Sequence, residues 1–141
     1  MEDLILRVAK RSELDSVLAF WRGAAENDSR PADTSDAVDA LVARDPEALI
    51  LAITDGKIAG TIIAGWDGWR CHLYRLAVAP EHRRQGIGAR LIEAAEERFR
   101  GLGGTRVDAM VLDGNERAHR IWAAHGYRRQ DEWSRWVKPL R

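Results

Sequence analysis

The sequence predicts an α+β sandwich. A mixed, mostly antiparallel central sheet carries helices on both faces, in the order β-α-α-β-β-β-α-β-α-β with room for one more closing strand. Three observations carry that expectation. Short apolar runs either side of Asp55-Gly56 form a two-residue hairpin signal, so the first half is antiparallel. The stretch from Leu73 to Leu112 reads strand, glycine-punctuated turn, amphipathic helix, strand, which is a βαβ crossover. No repeat, linker or low-complexity segment interrupts the 141 residues, so a single domain over 1–141 is expected.

Leu4 to Val8 reads as the first strand. Ser12, with Asp15 three residues on, resembles a capping box, and Leu14, Val17, Leu18 and Trp21 then set a helical stripe ending around Ala25. A polar loop from Asn27 to Asp33 leads to a second helix capped by Asp33 or Thr34, with Ala37, Val38, Leu41 and Val42 on one face. Asp45-Pro46 ends that helix, because the residue before a proline is pushed out of the helical region.

Strands follow over Ala48–Thr54 and Lys57–Ala64, then a turn at Trp66-Asp67-Gly68-Trp69, then a strand from Leu73 to Ala79 that only Arg75 interrupts. Pro80 stops that strand, having no N–H to give the ladder. Ile87, Leu91, Ile92, Ala95, Phe99 and Leu102 recur at helical spacing, opposite Arg90, Glu93, Glu96, Glu97 and Arg100. Thr105 to Leu112 forms the next strand. Asp113-Gly114-Asn115 turns into a short helix carrying Ala118, Ile121 and Trp122, and Tyr127 to Val137 closes the chain as one or two strands.

Charge and cysteine content narrow the function. Lys+Arg and Asp+Glu are both 22, so the net charge is zero and a nucleic-acid partner is disfavoured. Cys71 is the only cysteine, which points to a reducing, cytoplasmic setting. No stretch approaches the roughly 18 apolar residues of a membrane span, so no membrane partner is expected.

The chemistry concentrates where the crossover helix begins. Arg83, Arg84, Gln85, Gly86, Ile87, Gly88 and Ala89 combine two cations, glycines that let a ligand approach the backbone, and a helix N-terminus with partial positive charge. That is a site for an anion, most plausibly a phosphate. It is not a nucleotide P-loop, since the Gly-Lys-Ser/Thr ending is missing. It is not a dinucleotide fingerprint either, because Leu91 holds the third glycine position.

Leu76-Ala77-Val78-Ala79-Pro80, the Arg83-to-Ala89 turn, Asn115, Ala118 and Gly126-Tyr127 together resemble the GNAT superfamily of acetyl-CoA-dependent N-acetyltransferases, over the whole chain. The Gly60-Thr61 strand running into Gly65-Trp66-Asp67-Gly68 is similar to a small, stand-alone bacterial subgroup of the YpeA type. The resemblance implies acetyl-CoA as acyl donor. It further implies that backbone groups of Leu76, Ala77 and Val78 pair with the pantetheine arm where two strands splay apart. The N–H groups from Arg84 through Gln85, Gly86, Ile87 and Gly88 to Ala89 would hold the pyrophosphate. Arg83 and Arg84 would add charge, and Asn115 would hydrogen-bond the arm. The implied activity is acetyl transfer to a primary amine of a small molecule or peptide, by direct attack on the thioester.

The chain departs from the family pattern at the proton-transfer positions. Members often carry a tyrosine seven residues beyond the asparagine; that position is Trp122, whose indole donates a hydrogen bond but is no acid near neutral pH. Some relatives place a glutamate where Met110 stands. A positioned acid or base is worth about 10²–10⁴-fold, so a slower enzyme is expected rather than an inert one. The missing base favours an amine of low pKa, because an α-amine near 7.7–8.0 is neutral to the order of 10% at pH 7. Asp108, Asp113 and Asp67 are the substitute bases, each also readable as a turn former or solvated charge. Trp66 and Trp69, flanking a turn, are candidates for the wall of the acceptor pocket. His72, His82, His119 and His125 lack metal-ligand spacing, so no metal is expected. A homodimer is compatible with all of this. The competing reading is a non-catalytic or weakly catalytic acyl-CoA-binding sensor, for which Trp122 is the argument.

Overall fold

The computed structural model describes residues 3–28 and 30–140; Met1, Glu2, Arg141 and, within the expected polar loop, Ser29 lie outside the described residues. These residues form two compact units, one ending at Met110 and one beginning at Val111.

The first unit is a five-stranded sheet in sequential order, β1 (Ile5–Val8), β2 (Leu49–Thr54), β3 (Lys57–Trp66), β4 (Cys71–Val78) and β5 (Val107–Ala109). The first three pairings are antiparallel and β4–β5 is parallel, as the crossover requires. β2 is buried along its whole length. Its hairpin to β3 turns on Asp55 and Gly56 at φ 52° and 73°, the left-handed pair of a type I′ turn.

α1 (Leu14–Ala24) and α2 (Ser35–Arg44) cover one face, where Leu14, Val17, Trp21, Val38 and Val42 join Leu49, Leu51, Ile53, Ile63 and Ala77 in one cluster. α3 (Ile87–Gly101) covers the other face through Ile87, Leu91, Ile92, Ala95 and Phe99. Its approach to β3 is close. A Cβ on Gly60 would sit 2.9 Å from Leu91 Cδ1 and 3.1 Å from the Ala77 carbonyl.

Thr34 caps α2, its hydroxyl accepting the Ala37 N–H at 3.1 Å. Ser12 and Asp15 do not form the expected box before α1. Glu13 accepts the Lys10 N–H at 2.8 Å instead, and Arg7 grips the same carboxylate at 2.8 and 2.7 Å. The ion pair to β1 decides which acidic residue faces the helix end.

β4 contains a bulge. Thr61 pairs with Ala77 and Ile63 with Tyr74, so Arg75 and Leu76 stand opposite Ile62 alone, with Arg75 at φ 54°. β5 is shorter than the expected Thr105–Leu112. Its pairing ends at Leu73 and Ala109, beside the bulge that bends β4 out of register.

The second unit contains α4 (Glu116–Ala124). Asn115 caps it, its Oδ1 accepting the Ala118 N–H at 3.1 Å. Gly126 at φ 87° turns the chain so that Tyr127 packs edge-on against Trp122, ring centres 4.9 Å apart. The closing strands expected over Tyr127–Val137 are absent: residues 127–140 carry no strand. Trp133, Trp136, Val137 and Leu140 are exposed and fall on both parities, so no single strand face collects them.

Candidate active site

The α3 N-terminus is a bare backbone donor site. Its first intrahelical bond is Arg90 N–H to the Gly86 carbonyl at 3.1 Å, so the N–H groups from Gly86 to Ala89 find no acceptor inside the helix. Gly86 sits at φ 81° with no side chain to cap them, and the first turn contains no acidic residue. Arg84 at φ 65° and Gly86 at φ 81° both take the left-handed region, the backbone conformation from which anion-binding nests are built. Ile87 is buried and pins the turn to the core, while Arg84, Gln85 and Gly86 are exposed. A Cβ on Gly88 would only graze Val78 Cγ2 at 3.8 Å, so β4 ends against the same turn. Arg83 is drawn back onto β4, its Nε donating to the Val78 carbonyl at 3.3 Å.

β4 leads from this turn along an open edge. Cys71, His72 and Leu73 are laddered to β5, and among the described residues no strand pairs with β4 on that side from Tyr74 onward. Ala77 and Val78 pair with β3 on one edge, and Leu76 lies in the bulge just before them. An extended chain can add to the other edge through main-chain hydrogen bonds.

The bulge is held from beneath. The Thr61 hydroxyl donates to the Arg75 carbonyl at 2.8 Å and accepts the Trp21 indole N–H at 2.9 Å. The Arg75 side chain, 3% exposed, crosses the Trp21 ring and reaches the chain between α1 and α2. There it pairs with the Asp33 carboxylate and donates to the Glu26 carbonyl at 2.8 Å. The one charge in the apolar β4 run is thus the tie between the bulge and the α1–α2 connection.

Two of the three candidate bases converge. Asp108 on β5 and Asp67 in the β3–β4 hairpin both face His72, with Nδ1 2.8 Å from Asp108 Oδ1 and Nε2 3.4 Å from Asp67 Oδ2. The hydrogen bond to Asp108 pushes the His72 pKa above its usual value. Backbone N–H groups of Arg70 and Trp69 hold Asp67 below the usual carboxylate range. Cys71 is buried, and that burial, reinforced by the two carboxylates, pushes its thiol up and keeps it unreactive. Asp113 lies in the second unit, exposed, 3.4 Å from Arg129.

In the second unit Asn115 spends its carbonyl oxygen on the α4 cap, which leaves the amide Nδ2 as its donor. Trp122 is buried in the last turn of α4. The tryptophans of the first unit take separate places. Trp69 is 72% exposed with the Arg70 guanidinium 3.6 Å over its ring. Trp66 lines a cavity of about 650 Å³ with Arg44, Glu97, Arg98 and Leu102, at the α3 C-terminus and so at the far end from Gly86. That helix of 15 residues is about 22 Å long.

Sequence reasoning passed over His72 and Arg75. Arg75 was signalled, as a lone charge in a strand otherwise apolar. His72 was not, because its partners come from a hairpin and a parallel strand whose register no local pattern reveals.

A family model described as the acetyltransferase (GNAT) family matches residues 14–127. An acetyltransferase of Yersinia enterocolitica is 28% identical over 127 residues, 89% of each chain. Among solved structures, Ard1 from Thermoplasma volcanium superposes with a TM-score of 0.76 at 20% identity, covering 87% of this chain and 81% of that one. The Salmonella typhimurium protein yncA, solved with its cofactor acetyl-CoA, gives 0.72 at 17% identity, over 89% and 79%.

Proposed function

The chain belongs to the GNAT acetyltransferase family, and on that premise we propose that it moves the acetyl group of acetyl-CoA to a primary amine of a small molecule or peptide. The whole of 1–141 acts as one catalytic domain in this reading. The observation that carries it is the continuity of two backbone features: an uncapped α3 N-terminus without an acidic first turn, reached along the open edge of β4. These fit a ligand that is a diphosphate at one end and an extended amide-bearing arm at the other.

The residues divide the work. N–H groups from Arg84 through Gln85, Gly86, Ile87 and Gly88 to Ala89 bind the pyrophosphate, with Arg83 and Arg84 adding charge. Leu76, Ala77 and Val78 pair with the arm and orient the thioester, and Asn115 donates to the arm through its amide. When bound, acetyl-CoA supplies an activated acyl group; the protein supplies proximity, which is worth several powers of ten in rate. Trp122 supplies no proton.

The experiment is calorimetric binding of acetyl-CoA together with thiol release in a panel of primary amines. Binding with amine-dependent release supports the transferase. Binding without release under every amine supports the acyl-CoA sensor. Arg84→Glu should weaken binding in either case.

A further inference from the structure

The β3–β4 hairpin carries an exposed cationic cluster that the donor site does not use. A cavity of about 270 Å³ is lined by Trp69, Arg70, Thr105 and Arg106. Arg70 and Arg106 each stand one residue before Cys71 and Val107, the first pair of the parallel β4–β5 ladder, so two guanidinium groups start from neighbouring strands. Both residues are exposed, and among the described residues neither makes an ion pair. The carboxylates close to them in the chain are engaged elsewhere. Asp67 accepts the Trp69 and Arg70 N–H groups at 2.8 and 2.6 Å and faces His72, and Asp108 lies 2.8 Å from His72. Like charges set side by side on adjacent strands repel, and an anion between them removes the repulsion. The cluster is also held in place: Asp67 fixes the turn through those two N–H groups, and the Arg70 guanidinium lies 3.6 Å over the Trp69 ring.

We propose that Arg70 and Arg106 form the subsite for an anionic group of the acceptor, and that this acceptor is an extended peptide carrying a carboxylate about four residues from its reacting amine; this rests on the donor reading given above. The strand sets the span. The thioester meets the acceptor where the open edge of β4 begins, at Tyr74. Four residues of strand separate Arg70 from Tyr74, about 13 Å. Approach over the α3 face is closed, because Cys71 and Leu73 are buried there. Alternation along the strand puts Arg70 on the opposite face with His72 and Tyr74, whose side chains are 29% and 41% exposed. On β5, Arg106 and Asp108 continue the same exposed strip. A single amino acid is too short to reach from one end of the strip to the other, whereas about four residues of extended peptide span it. Each arginine presents a fork of N–H donors that can take a carboxylate in two parallel bonds, and Thr105 adds a hydroxyl.

The test uses the full chain with acetyl-CoA and a set of lysine-free alanyl peptides of equal length and composition, with a single glutamate second, fifth or ninth from the amine. The peptide with glutamate fifth should show a KM about tenfold below the other two, a contrast of the size that one charge-assisted contact supplies. That advantage should shrink as salt rises, since both arginines are exposed. Calorimetric titration of the same peptides, with CoA in place of acetyl-CoA, should return the same order of affinities without turnover. Arg106→Glu should remove the advantage of the fifth glutamate and give it to a peptide with arginine fifth, a reversal that lost folding does not produce. Equal KM for the three glutamate peptides overturns the proposal, as does an Arg106→Glu chain that keeps the parent's preference. If the parent chain binds no acetyl-CoA, the donor reading falls and the subsite with it; intact acetyl-CoA binding beside indifference to the glutamate's position removes the subsite alone.

Discussion

The Thr61 hydroxyl lies between the Trp21 indole and the Arg75 carbonyl, accepting from one at 2.9 Å and donating to the other at 2.8 Å. One buried atom therefore joins α1, β3 and the bulge of β4. Thr61→Val keeps the shape and strands both partners, each at about 1–3 kcal/mol. Thr61→Ser should retain most of the stability. Urea unfolding of the two variants checks this, and a valine variant within about 0.5 kcal/mol of the parent would remove the hydroxyl from the account.

Gly88→Asp separates anion binding from helix stability, because it moves them in opposite directions. A carboxylate in the uncapped first turn of α3 should stabilise the helix by about 0.3–1 kcal/mol. The same charge competes with a diphosphate for the N–H groups, so acetyl-CoA affinity should fall. Thermal unfolding and calorimetry read the two signs separately; parallel changes would mean that the turn is structural only.

Gly60→Ala should cost about 1–3 kcal/mol by overpacking. The new methyl would meet Leu91 Cδ1 at 2.9 Å and, more stubbornly, the Ala77 carbonyl at 3.1 Å. Leu91 can move aside and the strand backbone cannot. Chemical denaturation of Gly60→Ala with and without Leu91→Ala should therefore be non-additive, the smaller leucine replacement absorbing part of the clash.

Acid stability should depend on Glu13. The Arg7 guanidinium bonded to it lowers its pKa from 4.5 to about 2. A folded value below the unfolded one stabilises above 4.5 and loses that contribution as the pH falls toward 2. Glu13→Gln should cost about 1–2 kcal/mol at neutral pH and flatten the melting temperature across that acid range, since the pair is part-exposed. Melting curves taken against pH measure it.

The order and direction of the strands were legible because local signals agreed with the tertiary outcome. Asp55-Gly56 specifies its own turn, and the α3 stripe from Ile87 to Phe99 needs no partner to be recognised. The anion turn was legible for the same reason: Gly86 and Gly88 act through backbone within one segment. The α1 start differs from the local pattern because Glu13 answers to Arg7 on β1. The closing strands were misread because Tyr127, Trp133 and Val137 share a parity that Trp136 and Leu140 break. His72 was invisible, since parallel pairing to Asp108 is fixed only when the crossover closes.

The β4 bulge has a consequence for how substitutions along that strand should compensate one another. Buried positions alternate without a break through Cys71, Leu73, Arg75 and Ala77, as in any regular strand. Register nevertheless sets Cys71 and Leu73 against the α3 side and Ala77 in the cluster of Trp21 and Val17. A mutational scan should therefore find volume changes at 71 and 73 rescued from Phe99 and Gly104, and those at 77 rescued from α1. Rescue should not cross residue 75, because a seam there divides one continuous pattern between two independent neighbourhoods.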